Sequence, residues 1–170
     1  MSKRMSLRAF QEHVTARLQN LAAREGDAPR LGLSVGAHRF VVELSDIAEA
    51  VPVPPMTRVP LAKPWFCGMA NIRGNLYAVS DLAAFFGDGP TPPGTDRRVL
   101  IVHPKYQVNA ALMVGGVLGL KSVAPAAADD SRPEAPPWAG PEYRDGEGGT
   151  WRGLALAALL GDPRFLGVGR

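Results

Sequence analysis

Residues 64–88 read PWFCGMANIRGNLYAVSDLAAFFGD. Apolar residues flank the run Asn71-Ile72-Arg73-Gly74, so this stretch predicts two buried strands joined by a tight glycine turn that carries one arginine. The apolar run from Leu82 to Phe86 predicts a short helix directly after the second strand. No catalytic motif accompanies this unit in the sequence, which favours a protein that binds other proteins over an enzyme.

The composition indicates a globular chain rich in turns. Its 170 residues, 46% of them hydrophobic, suffice for one domain or for two small subdomains that share a core. The 16 prolines and 19 glycines favour short strands over long helices. The net charge of +3 resides in residues 1–30, which hold six Lys or Arg and three Asp or Glu. A nucleic-acid-binding domain would concentrate basic residues on its folded body, so this distribution favours an ordinary solvated surface.

Cysteine usage and hydropathy predict a cytoplasmic protein. Cys67 is the only cysteine, so no disulfide can form within the chain and a reducing compartment is expected. The N-terminus lacks the apolar core of a secretory signal. The longest apolar run, around Ala110 to Leu118, is interrupted by two glycines and is much shorter than a membrane span.

The first 29 residues have the periodicity of an amphipathic helix. Their apolar residues recur every three or four positions, at Leu7, Phe10, Val14, Leu18 and Leu21. Ser6 is suited to the N-cap, and Gly26 is suited to end the helix. Two interpretations remain open at this point: the helix packs on the body of the protein, or it binds a partner or a second copy of the chain.

The remainder of the chain is predicted to be mainly β. Strands are expected as a hairpin over residues 31–44 and again at 99–102 and 108–114. Proline and glycine concentrate at residues 52–64, 89–96 and 125–150, which predicts loops there, the last with room for one short strand.

A short internal repeat suggests two similar halves. The run Leu82-Ala83-Ala84-Phe85-Phe86-Gly87-Asp88 recurs as Leu156-Ala157-Ala158-Leu159-Leu160-Gly161-Asp162. Each copy follows an Arg-Gly pair, at different distances. The repeat is consistent with two β subdomains that are each closed by a short helix.

The residue types that carry chemistry are scattered along the sequence. The histidines, His13, His38 and His103, have no Cys, His or carboxylate partners at metal-ligand spacing. Cys67 lies in an apolar run beside Trp65 and Phe66, which favours a buried structural thiol over a nucleophile. We therefore expect no enzymatic activity, no metal and no cofactor.

Two charged residues stand out in apolar surroundings. Arg73 lies in the predicted turn between two apolar strands, where it either forms a structural salt bridge or anchors a protein interface. Glu49 interrupts an apolar stretch between Ile47 and Val51, which indicates either an ordinary alternating strand or the edge of a protein-binding surface.

The order of these motifs resembles the CheW family of chemotaxis scaffold proteins. The family motif Gly-x-x-Asn-hydrophobic-Arg-Gly, followed by a strand and Asp-Leu, is present here as Gly68 to Gly74 and Asp81-Leu82. Upstream, Asp46-Ile47-x-Glu49 also fits the family pattern. The resemblance covers residues 30–123 and, more loosely, the chain from Trp151 onward.

This resemblance implies a fold and a set of surfaces. The fold is mainly β, with two SH3-like five-stranded β-barrels around a shared hydrophobic core and short helices that close the barrels. The expected organisation is a helical arm at residues 1–29 and a CheW-like domain at 30–170. The first barrel is expected at about residues 30–88 and the second at about 97–170, with an exchange of strands between the barrels allowed.

The resemblance also implies two partners and the residues that face them. One partner is the regulatory domain of a CheA-type histidine kinase, which is expected to bind a face that includes Ile47 and Glu49. The other is the cytoplasmic tip of a methyl-accepting chemoreceptor, which is expected to bind a groove marked by Gly68, Asn71 and Arg73. Such an adaptor is cytoplasmic, is associated with membrane-bound receptor arrays and binds no nucleic acid.

Departures from the plain family pattern point to one branch. The long N-terminal arm, the Pro-rich stretch 125–150 and the ending from Trp151 to Leu166 resemble the PilI branch, which serves the chemosensory system of type IV pilus twitching motility. The alternatives are an adaptor of a flagellar chemotaxis system and, more distantly, a small β-barrel that binds nucleic acid.

Overall fold

The computed structural model describes residues 29–127 and 135–169. The helix predicted for the N-terminal arm falls on residues outside this part of the chain. Within it, the fold is mainly β, as predicted. The strands are β1 Arg30–Val35, β2 His38–Glu43, β3 Ile47–Pro52, β4 Phe66–Ile72, β5 Asn75–Asp81, β6 Arg98–Val102, β7 Ala110–Val114, β8 Gly116–Lys121, β9 Val123–Pro125, β10 Ala139–Asp145 and β11 Thr150–Leu154. The α-helices are α1 Leu82–Phe86, α2 Leu156–Leu160 and α3 Pro163–Leu166, all of one or two turns.

The strands form two sheets that draw on both halves of the chain. One sheet has six strands in the order β8-β1-β2-β11-β10-β9, and the other has five in the order β3-β6-β7-β5-β4. The N-terminal hairpin thus pairs with C-terminal strands, while β6 and β7 pair with strands that precede them in the chain. Strands from before and after the expected boundary near residues 88–97 therefore share both sheets. The residue bounds given for each barrel stay a prediction.

The two sheets repeat one arrangement. In each, an antiparallel hairpin (β4 with β5, or β10 with β11) joins a second hairpin through one parallel pairing, β5 with β7 and β11 with β2. The sequence repeat follows this symmetry, because its two copies form α1 and α2 directly after β5 and β11. Leu82 and Leu156, the first residue of each copy, are both buried between the sheets. The repeat therefore reflects two equivalent helices.

The shared core predicted from the sequence lies between the sheets. It includes residues of β1 and β2 from one sheet, alternate residues of β6 and β7 from the other, and all three helices. The remaining residues of β6 and β7 face the opposite side, where they pack in a second cluster within the five-stranded sheet: Val99, Ile101, Ala111 and Met113. A third cluster lies on the far face of the six-stranded sheet: Val41, Val123, Tyr143 and Trp151. Each sheet therefore has its own core and contributes to a common one.

One predicted loop contains a long strand. Residues 125–150 were expected to be mostly loop, but β10 occupies seven of them, Ala139–Asp145. Because Gly140 and Pro141 are of types uncommon in strands, the sequence pattern predicted a loop here. The structure accommodates them at an irregularity of the β10–β11 pairing between Ala139 and Glu142.

Candidate protein-binding site

The turn between β4 and β5 is a two-residue hairpin turn. Ile72 pairs with Asn75, which leaves Arg73 and Gly74 as the central residues. Both have positive φ angles, 53° and 83°, as type I′ hairpins require. The side-chain oxygen Oδ1 of Asn71 accepts a hydrogen bond from the Gly74 amide at 3.0 Å. Asn71 and Gly74 thus shape the turn, and the turn presents Arg73.

Arg73 forms a bidentate ion pair with Glu49. Its Nη1 donates to Oε2 of Glu49 at 2.5 Å, and its Nη2 donates to Oε1 at 2.5 Å. The Arg73 side chain is 71% exposed and that of Glu49 is 34% exposed. The two residues that the family resemblance assigned to two different faces therefore lie on one surface.

This ion pair joins opposite edges of one sheet. Glu49 lies in β3 and Arg73 follows β4, and these strands are the first and last of the five-stranded sheet. Because the side chains meet, the sheet must curl until its edges approach each other. A curled sheet around its own apolar cluster is consistent with the barrel that the family resemblance implies.

Ile47 lies apart from this surface. This residue is 9% exposed and belongs to the core between the sheets. In a regular strand, residues 47 and 49 would share a face, but the β3–β6 pairing shifts register between them. The expected kinase face therefore presents Glu49, while the Ile47 side chain supports it from inside the core.

Gly68 shapes the backbone of β4. Its φ angle is +132°, and a Cβ atom built there would overlap the backbone carbonyl of Thr57. The chain passes this close because Thr57 and Met69 exchange two backbone hydrogen bonds, at 2.8 and 2.9 Å. A side chain at position 68 would block that bridge, so Gly68 is required by packing within the fold.

A groove lined by aromatic side chains lies away from the turn. Its volume is about 670 Å³ and its walls include the aromatic residues Trp65, Phe85, Phe86 and Trp138. Gly68, Asn71 and Arg73 do not line it. The aromatic groove is thus separate from the charged surface at the β4–β5 turn. The receptor groove that the resemblance implies for Gly68, Asn71 and Arg73 stays a prediction.

Asp81, the acidic residue of the Asp-Leu motif, is a buried structural carboxylate. Its Oδ1 accepts hydrogen bonds from the amides of Ala83 and Ala84, at 3.1 and 3.3 Å, and from the Thr91 hydroxyl at 2.7 Å. Its Oδ2 accepts from the Thr91 amide at 2.7 Å. Asp81 thereby caps α1 and binds the following loop, residues 89–96, through Thr91.

Cys67 has the environment of a structural thiol. Burial, together with the negative charge of Asp81, raises the pKa of Cys67 from 9.0 to about 11, against the opposing effect of Arg97 and Arg58. A raised pKa disfavours the thiolate that a nucleophile or a metal ligand requires. In the two described segments, no group of His, Cys, Asp and Glu side chains is arranged to hold a metal ion. Among the described helices, none combines the length and the apolar character needed to cross a membrane.

The sequence indicated both Arg73 and Glu49 but not their contact. They are separated by 24 positions: Glu49 lies in β3 and Arg73 follows β4, and these strands are not neighbours in the sheet. No local spacing encodes such a pairing. The available signal was the charge complementarity of two residues that each interrupt an apolar stretch.

Comparison with known proteins identifies relatives of this chain. The family model of the CheW-like domain matches residues 30–163. Protein PilI of Pseudomonas aeruginosa is 35% identical over 91 residues, which cover 54% of this chain and 51% of PilI. A probable chemotaxis protein CheW of Rhizobium etli is 29% identical over 99 residues, which cover 58% of this chain and 63% of the relative. The chain thus spans less than two thirds of the length of either curated relative.

A solved structure has the same fold. The scaffolding protein TtCheW of Thermoanaerobacter tengcongensis superposes with a TM-score of 0.59 at 20% sequence identity. The match covers 74% of this chain and 87% of TtCheW. At this identity the comparison establishes the fold, and the role of individual residues rests on the geometry described above.

Proposed function

Because the chain belongs to the CheW-like domain family, we propose that it is a non-catalytic adaptor that couples a chemoreceptor to a CheA-type histidine kinase. Members of this family are scaffolds, and an adaptor needs binding surfaces in place of a reaction centre. In this proposal the protein is cytoplasmic and joins membrane-bound receptor arrays through its partners. It requires no cofactor.

The exposed pair of Arg73 and Glu49 is the observation that carries the proposal. Arg73 occupies the left-handed backbone region, which costs a non-glycine residue about 1–2 kcal/mol. An exposed ion pair returns only about 0–1 kcal/mol. Stability alone therefore gives no reason for an arginine at this turn, whereas recognition of a partner does, since arginine is enriched at interface hot spots.

We assign the kinase regulatory domain to the Glu49 side of this surface and the receptor tip to the side of Asn71 and Arg73. Gly68 and Ile47 support this surface indirectly. Gly68 allows the backbone of β4 to approach Thr57, and Ile47 packs in the core. Since Glu49 and Arg73 touch, the two partner sites are contiguous, and occupation of one is expected to influence the other.

The pilus system is the proposed context. PilI has a higher identity to this chain than the Rhizobium etli protein does, 35% against 29%, over segments of similar length. We therefore place the adaptor in the chemosensory system that controls type IV pilus twitching motility. An adaptor of a flagellar system is the alternative, supported by the similarity to the probable CheW protein.

Reconstitution with purified partners tests the adaptor role. The full chain is mixed with the regulatory domain of the CheA-type kinase and with a fragment of the chemoreceptor tip from the same organism, and complexes are resolved by size-exclusion chromatography. The proposal predicts that the chain binds each partner and that the three co-elute. A folded chain that binds neither partner at micromolar concentrations contradicts it.

A further inference from the structure

A cleft at the other end of β4 contains a guanidinium that forms no ion pair with any residue in the ranges 29–127 and 135–169. The cleft has a volume of about 510 Å³ and is lined by residues that include Arg58, Lys63, Phe66, Cys67 and Arg97. Arg73 follows the far end of the seven-residue strand β4, about 20 Å from Phe66. This cleft is therefore distinct from the surface formed by Arg73 and Glu49.

Arg97 is the central residue of the cleft. Its Nε atom is buried and has no hydrogen-bond partner in the described part of the chain. Its Nη1 atom donates to the Met113 sulfur, a weak acceptor, at 3.9 Å. By contrast, Arg73 and Arg164 each pair with a carboxylate. A buried donor without an acceptor is costly in a folded protein and calls for a physical explanation.

Asp81 does not supply the missing acceptor. It is the acidic residue in the lining of the cleft, but both of its oxygens already accept hydrogen bonds, from the α1 amides and from Thr91. Arg58 and Lys63 add two exposed positive charges at the rim, and neither forms an ion pair with a described residue. The cleft therefore has an excess of positive charge around a guanidinium whose Nε–H is unsatisfied.

The walls of the cleft suit a ligand in which an anionic group lies next to apolar groups. Met56, Val59, Phe66 and Met113 provide apolar surface, and methionine adapts readily to different shapes. The backbone amide of Thr91 is already engaged by Asp81, so it is not available to a phosphate, which commonly uses several backbone N–H groups. A carboxylate matches a single guanidinium fork well.

We propose that this cleft binds an acidic side chain of a partner protein, with its carboxylate on Arg97 and its neighbouring apolar residues on the methionine and phenylalanine walls. Arg58 and Lys63 favour the approach of such an acidic segment through charge complementarity. The site does not depend on which partner occupies the surface at Arg73, so it adds a second contact region to the adaptor.

A peptide titration tests this assignment. The full chain, labelled with 15N, is titrated with acetyl-Leu-Glu-Leu-amide at constant ionic strength, and with acetyl-Leu-Gln-Leu-amide as the control ligand. The Arg97 Nε–H resonance reports occupation of the cleft directly. The alkylation rate of Cys67, the only thiol of the chain, reports it independently.

The proposal predicts saturable shifts of the Arg97 resonance and protection of Cys67 with the glutamate peptide only. Arg97→Gln is expected to weaken binding of that peptide roughly tenfold, because it removes a charge-assisted hydrogen bond. Arg144→Gln is the matched control: it removes the same charge from an exposed position in the other sheet and is expected to leave binding unchanged. If Arg97→Gln does not fold, Arg58→Gln at the exposed rim replaces it, with a several-fold loss expected.

Three results would overturn the proposal. They are equal binding of the two peptides, undiminished binding by the arginine variants, and tighter binding of inorganic phosphate than of the glutamate peptide at the same ionic strength. The last result would identify a phosphate site.

Discussion

Glu49 and Arg73 form a bidentate ion pair although their strands lie at opposite edges of the same five-stranded sheet. The contact closes the sheet on itself and exposes one guanidinium and one carboxylate side by side. It also joins the two residues through which we propose that the kinase and the receptor bind.

Replacement of Arg73 by glycine should separate stability from binding. Arg73→Gly removes the strain of a left-handed arginine, worth about 1–2 kcal/mol, and loses an exposed ion pair worth about 0–1 kcal/mol. We expect the free energy of unfolding to stay the same or to rise by about 1 kcal/mol, measured by chemical denaturation. Binding to the receptor tip should be lost. A clear loss of stability would instead assign Arg73 a structural role.

Gly68→Ala should destabilise the protein by roughly 3 kcal/mol, because the new Cβ atom meets the Thr57 carbonyl and the residue has a positive φ angle. Gly94→Ala is the matched control, since nothing lies within 4 Å of a Cβ atom at that position. Urea denaturation of both variants measures the difference. Equal stabilities would refute the close approach of Thr57 to β4.

Asp81→Ala should cost about 3 kcal/mol of unfolding free energy. The substitution removes the N-cap of α1 and both hydrogen bonds to Thr91, all in a buried site. Asp96→Ala removes an exposed carboxylate that forms no side-chain hydrogen bond in the structure, and should change stability little. Thermal unfolding of the two variants compares their losses of stability. A larger loss for Asp81→Ala shows that its hydrogen bonds stabilise the fold, and equal losses contradict that role.

The thiol of Cys67 should react slowly and only at high pH. Its pKa is raised from 9.0 to about 11, chiefly by burial, so at pH 8 the thiolate is about a hundredfold rarer than in the unfolded chain. Folding therefore favours the neutral thiol, and this contribution to stability is present below pH 9 and declines as the pH rises towards 11. Alkylation rates against pH, with and without denaturant, check this; identical profiles would contradict it.

Local sequence patterns predicted the parts of the fold that are decided locally. The segment 64–88 forms β4, the turn, β5 and α1 as expected, because apolar runs and a glycine turn act over a few positions. The repeat predicted the equivalence of α1 and α2 for the same reason. The shared core followed from the family resemblance and is confirmed.

Features that depend on distant pairings were not predictable. The resemblance allowed an exchange of strands, but the identity of the strands was not predictable. The pairing of β1 and β2 with the sheet of β10 and β11 depends on contacts across more than 100 residues. The burial of Ile47 depends on a local register shift in β3, which inverts the face that simple alternation assigns. The contact of Glu49 with Arg73 depends on closure of the whole sheet.

The proposed adaptor role is tested most directly by the affinities of charge-reversed variants for the two partners. Calorimetry would compare Glu49→Arg, Arg73→Glu and the double variant with the wild-type chain, after circular dichroism has confirmed the fold. We predict that Glu49→Arg weakens binding to the kinase regulatory domain and that Arg73→Glu weakens binding to the receptor tip. We also predict that the double variant, in which the ion pair is restored in reverse, regains neither. Wild-type affinities for all three variants, or full recovery in the double variant, would contradict the proposal and reduce the pair to a clamp within the fold.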